Sequence, residues 1–155
     1  MQFSAPPALF RLGINLWPPF VGAGIRVRRI APDFREIFVE MALGVRNRGY
    51  FGTHFGGSLY AMTDPFFMLM VLRNLGPGYR VWDQAASIEF VAPGRGTVHA
   101  RFVLHERDLT QIRRATAEGE KHLHLFAVEV RDEQKLTVAR VEKVVYVRRK
   151  RSQPA

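Results

Sequence analysis

The sequence predicts an α+β domain in which a six-stranded antiparallel sheet curves around a central apolar helix, and three observations predict it. At 155 residues, 47% of them hydrophobic, the chain suits one domain with a substantial core, spanning residues 1–155. From residue 57 to residue 75, side chains such as Leu59, Tyr60, Met62, Phe66 and Val71 cover every side of a helix, so that helix must be enclosed. Strand-like alternation stands on both sides of it, in the order strand, strand, helix, strand, strand, short helix, strand, strand. Periodicity alone is equally consistent with a helix packed flat on an open sheet.

Each element has its own signal. Within residues 1–24, Leu9, Leu12 and Leu16 recur at helical spacing, and Trp17-Pro18-Pro19 is expected to end that helix in a loop. Residues 25–30 partly alternate basic and apolar, while Ile37, Val39, Met41, Leu43 and Val45 alternate strictly, the period of a strand with one buried face. Gly76-Pro77-Gly78 closes the central helix. Strands over 85–91 and 98–104 flank Pro93-Gly94-Arg95-Gly96 and are expected to pair as a hairpin. Asp108 followed by Gln111 resembles a capping box for a short helix with Leu109 and Ile112 on one side and Gly119 as its C-cap. Residues 123–130 and 136–147 form a second expected hairpin, joined at Asp132-Glu133-Gln134.

Composition narrows the function classes. Lys and Arg number 23 against 14 Asp and Glu, a formal +9, which favours a polyanionic partner such as nucleic acid, an anionic membrane or a phosphorylated ligand. Four of those positives are the run Arg148, Arg149, Lys150 and Arg151, read as the start of a basic tail over 148–155. The absence of cysteine rules out disulfides, thiolate metal sites and a cysteine nucleophile, and fits a cytoplasmic setting. No signal peptide is expected, and the longest apolar run, residues 65–72, is too short to span a bilayer, so no membrane insertion is expected.

Thr53-His54-Phe55-Gly56-Gly57-Ser58 through Met70 resembles the turn and central helix of hotdog-fold acyl-CoA thioesterases of the phenylacetate-pathway type, in which an acidic residue follows seven positions after the second of two glycines. Gly56-Gly57 and Asp64 reproduce that spacing. Residues 81–96 are similar to the next strand and turn in an uncharacterised thioesterase-like branch of the same superfamily, and the resemblance covers about residues 25–147. It implies a hotdog fold, a dimer or tetramer of identical subunits, and an acyl-CoA or related thioester as substrate, with coenzyme A as part of that substrate and no separate cofactor. By resemblance the N–H of Gly57, with that of Ser58, would hold the thioester carbonyl oxygen, and Gly56 would let the substrate approach. Asp64 would act across a subunit interface as general base or nucleophile. Asn47 and His54 are candidates for positioning the carbonyl or water, although Asn47 lies ten residues before Gly57 rather than about eight. Phe66 and Phe67 would line an acyl tunnel, and Arg73 or Arg95 would meet the phosphates of coenzyme A. The same superfamily contains non-catalytic acyl-CoA sensors and β-hydroxyacyl dehydratases, the latter a reading in which His54 and Asp64 form the acid–base pair.

Local chemistry leaves alternatives. Asp64 is the only charged residue between Thr53 and Leu72, which makes it a site candidate. Thr63-Asp64-Pro65 is equally a helix start with Asp64 as N-cap, or a proline kink in a longer helix. His54 is as readily a plain loop histidine. Ser58 lacks the second flanking glycine of a nucleophile elbow. His122 and His124 face one side of a strand without an evident third ligand, so no metal is expected. Nucleic acid is not expected as a partner, because no stacking motif interleaves the basic run.

Overall fold

The computed structural model describes residues 5–150, so Arg151 and the rest of the predicted tail lie outside the described residues. The elements run α1 Pro7–Asn15, α2 Pro18–Ala23, β1 Ile25–Ile30, β2 Glu36–Ala42, α3 Gly56–Ala61, α4 Phe66–Leu75, β3 Tyr79–Phe90, β4 Thr97–Val103, α5 Glu106–Ala115, β5 Lys121–Arg131 and β6 Thr137–Arg149. One sheet holds all six strands in the order β1-β2-β4-β5-β6-β3, every pairing antiparallel.

The alternating residues behave as their period requires. Ile37, Val39 and Met41 of β2, Val98, Ala100 and Phe102 of β4, and Val128 and Val130 of β5 point into the core. There they meet the enclosed helix α4: Phe66 lies 4.8 Å from Phe102, and Phe67 stacks on Phe126 at 4.5 Å. On the outer face the intervening positions carry ion pairs, Arg101 with Glu36 at 2.7 Å and Arg140 with Glu129 at 3.2 Å.

Several expectations are corrected. Pro18-Pro19 does not end the N-terminal structure; it opens α2, because proline is favoured in a first helical turn where its missing N–H costs nothing. The alternation after Met41 outlasts the strand, which stops at Ala42 and leaves Val45 exposed. The central helix is two helices. Thr63 turns its hydroxyl back to the Tyr60 carbonyl at 2.7 Å, and Pro65, joined to Asp64 by a cis peptide, has no N–H to continue the ladder. The first expected hairpin is absent: β3 pairs only with β6, whereas β4 lies between β2 and β5. Residues 91–96 spend their backbone hydrogen bonds elsewhere, Val91 and Ala92 donating to Val138, Gly94 accepting from His54, and Gly96 accepting from Leu43. The short helix starts two residues before Asp108, which sits in its first turn and accepts from the His105 N–H at 3.0 Å; the helix ends at Ala115, before Gly119. Arg148 and Arg149 belong to β6, not to a tail, and with Lys150 donate to the carbonyls of Gly119, Ala117 and Pro77.

The two sheet edges differ. At β1 the side chain of Asn15 donates to the Val27 carbonyl at 3.0 Å and accepts from its N–H at 2.7 Å, so α1 covers that edge. At the other end β3, twelve residues long, has no strand on its far side among the described residues.

Candidate functional site

The crossing segment after β3 and the start of α3 border an open cavity of about 560 Å³, lined by Phe51, His54, Gly56, Leu59, Phe90 and Arg95 among others. Gly56 and Gly57 occupy the first two helical positions of α3, where amide N–H groups have no acceptor inside the helix. The Ser58 N–H is committed to the Phe55 carbonyl at 3.0 Å, which leaves Gly57 as the available donor of the expected pair. Space explains the glycines. A Cβ at Gly56 would lie 2.8 Å from the Phe90 ring, and one at Gly57 2.5 Å from the Phe55 ring.

His54 forms one wall and is only 6% exposed. Its Nε2 lies 3.0 Å from the Gly96 carbonyl oxygen, which can only accept, so Nε2 carries the proton and donates. Nδ1 is then a bare acceptor, and it is buried without a partner. Burial pushes the imidazole below its ordinary 6.5, against the opposing pull of the Gly96 carbonyl. A depressed folded-state value means that the stability His54 contributes is complete above 6.5 and is lost as pH falls through the lower folded value. His122 is lowered too, by burial and then by His124, and acts in the same direction. Thermal melting is therefore expected to occur at lower temperature at pH 5.5 than at pH 7.5. His54→Gln, whose amide can still donate to Gly96, should make that decline shallower; an unchanged slope would assign it to His122 alone.

Asp64 stands elsewhere in the chain. It is not the N-cap of α4: Pro65 occupies that position, and no side chain caps the helix. Nor does it mark a kink, since the helix is broken outright. Its carboxylate instead accepts a hydrogen bond from Lys143 of β6. The Lys143 side chain is 1% exposed against 42% for Asp64, and its ammonium also lies 3.5 Å from Asp83 and 3.4 Å from the Tyr60 hydroxyl. Burial works to lower Lys143, but the Asp64 hydrogen bond and the charges of Asp83 and Asp64 outweigh it, and the net direction is up. Asp83 is raised because burial and the neighbouring Asp64 outweigh Lys143. One ammonium thus serves two carboxylates, and Asp83 Oδ1 has no hydrogen-bond partner. Lys143 and Asp83 are not among the residues expected at the site, and Tyr60 is expected only as an apolar helix position. The signal existed: Val141, Lys143, Val145 and Val147 share one parity on β6, so a lysine sits at an inward position.

The other candidates separate. Asn47 is buried away from the cavity, with its amide donating to Ala23 and Ala42 at 2.9 and 2.8 Å and accepting from the Gly44 N–H at 2.9 Å. Those bonds hold the loop after β2 and leave the amide no free donor for a substrate. Phe66 and Phe67 fill the core against Phe102 and Phe126 and line no part of this cavity. Arg73 lies over the Phe34 ring at 4.0 Å and donates to the Ala5 carbonyl, fastening α4 to the N-terminal segment. Arg95 stays with the cavity. His122 and His124 lie 3.2 Å apart, with His124 3.5 Å from Asp108, and no group of three or more residues suited to a metal occurs among the described residues.

This sheet wrapped on an apolar helix, with paired glycines opening the shorter helix before it beside a cavity, defines a hotdog-fold protein. Residues 7–147 match the family described as Domain of unknown function (DUF4442), and the chain belongs to that family. No curated protein matches the chain. Among solved structures, a Pseudomonas aeruginosa protein of unknown function, named a probable thioesterase, aligns with a TM-score of 0.81 at 18% identity, over 92% of this chain and 95% of that one. A Haemophilus influenzae thioesterase aligns with a TM-score of 0.64 at 16% identity, over 87% and 85% of the two chains. A mutant of the phenylacetic acid degradation protein PaaI from Thermus thermophilus aligns with a TM-score of 0.58 at 25% identity, over 83% and 97%.

Proposed function

We propose that this protein is a cytoplasmic homo-oligomeric thioesterase that hydrolyses an acyl-CoA-type thioester at a site shared between two subunits. The observation that carries the reading is the buried His54, which lines the same cavity as Gly56 and holds an unpartnered Nδ1. The Gly57 N–H would receive the carbonyl oxygen as negative charge develops there, while Nδ1 accepts a hydrogen bond from the attacking water. Arg95 at the cavity wall suits a phosphate of coenzyme A. Asp64 does not line this cavity in its own chain, so it takes part only if a second subunit brings it there. The open edge of β3, with Trp82 and Phe90 exposed beside it, is the surface that favours such pairing.

A panel of acyl-CoAs assayed for free thiol, with binding measured in parallel, separates hydrolysis from sensing: binding without release would favour the sensor. Subunit sharing has its own check. Gly57→Val, which meets Phe55, and Asp64→Asn are each expected to inactivate the protein. Unfolded and refolded together, they should recover about a quarter of wild-type turnover, because half of randomly paired dimers contain one intact site. No recovery from a mixture shown to contain heterodimers would sink the shared site.

A further inference from the structure

The surface formed by α1 and α2 bears no relation to the cavity and lies at the opposite sheet edge from β3. At about 100° per residue, Leu9, Leu12 and Leu16 fall on one side of α1, away from the buried Ile14. All three are exposed, Leu16 to 68%, and the apolar surface continues through Trp17, 44% exposed, to Val21 on α2. Five neighbouring large apolar side chains facing outward are unusual on a surface that serves only to be hydrated.

Charge identifies what covers them. The first acidic residue of the sequence is Asp33, whereas Arg11, Arg26, Arg28 and Arg29 all precede it. Beside the apolar stripe, Arg11, Arg26, Arg28 and Arg46 line one depression together with Val21 and a single acidic residue, Glu40, which is paired with Arg28. Arg11 and Arg46 are held in place by hydrogen bonds to the carbonyls of Arg28 and Val21 at 3.0 and 3.1 Å. An apolar stripe with a tryptophan at its end and fixed arginines along its flank matches the cross-section of a lipid interface, where acyl chains lie below anionic headgroups. A second copy would bring the same arginines face to face, and a nucleic acid would leave the leucines in water.

We infer that the α1–α2 face docks on anionic lipid bilayers, lying on the membrane without crossing it. No helix among the described residues is long and apolar enough to cross. Asn15, at the flank of the leucine stripe, fastens the docked helix to β1, so the whole domain is carried to the surface as one body.

Co-sedimentation with phosphatidylcholine vesicles, with and without about 30% phosphatidylglycerol, tests this. Wild-type protein is expected to pellet with the anionic vesicles and not with pure phosphatidylcholine, and to be released as salt rises. Leu12→Glu with Leu16→Glu changes only exposed positions and should lower vesicle affinity at least tenfold while the melting temperature and oligomeric state are kept. A second measurement leaves the stripe intact: in Trp82→Phe protein Trp17 is the sole tryptophan, and its emission should shift to the blue and be quenched by acyl-brominated lipid. Failure of wild-type protein to bind anionic vesicles overturns the inference, as does equal binding to neutral ones. Vesicle binding that survives in the double variant, or that leaves Trp17 unquenched, assigns attraction to another basic surface and overturns it too. A stripe variant that changes the oligomer while vesicle binding persists would identify a second copy as the occupant.

Discussion

Asp64→Asn is expected to lower thioester turnover on the order of a hundredfold or more while the fold, the oligomer and much of the ligand affinity persist. The amide is nearly the same size and its oxygen can still accept from the Lys143 ammonium, but it cannot take a proton from water. Lys143 also keeps Asp83 at 3.5 Å, so the buried ammonium is not left without a counter-charge. Asp64→Ala should lose activity equally and melt somewhat earlier, through a lost hydrogen bond and not through a lost helix cap, since the carboxylate caps nothing. Initial rates of thiol release and thermal melts of both variants check this. Near-wild-type turnover in the Asn protein would return the chemistry to His54 and its unpartnered Nδ1.

The largest stability effect is expected at Lys143. Lys143→Met keeps the length of the side chain but leaves Asp64 and Asp83 facing each other with no cation between them. Removing one member of a buried charge cluster costs about 3–5 kcal/mol; because Asp64 is 42% exposed, water screens part of the loss, and about 2–4 kcal/mol is the expected cost. Adding Asp83→Asn to Lys143→Met should recover a good part of it, by removing the less exposed of the two stranded charges. Chemical denaturation of the single and double variants measures the coupling. Additive losses would mean that Lys143 and Asp83 do not act as a unit.

What the residues already contained was their own period and chemistry. Strict alternation in Ile37-x-Val39-x-Met41 and in Val98-x-Ala100-x-Phe102 put these side chains on one face, and burying that face required a sheet packed against the apolar helix. The glycine pair and the acidic residue seven positions later were likewise legible as a spacing. Which strand lies beside which was not, because pairing between segments far apart in sequence is set by how the whole chain closes. Pro93-Gly94-Arg95-Gly96 has the composition of a hairpin turn but spends its backbone bonds on Leu43 and His54 and carries the chain across the sheet. Local pattern also could not show that Asn47 is consumed by loop carbonyls, that Phe66 and Phe67 are filled against Phe102 and Phe126, or that Lys143 reaches Asp64 from 79 residues away. The sequence by itself determined the type of most elements, the core face and the glycine turn, since these follow from bonds and burial within a few residues. Only the tertiary structure decided the strand order, the separation of His54 from Asp64 within one chain and the lysine between two aspartates, since each depends on distances that exist only once the sheet has closed around the helix.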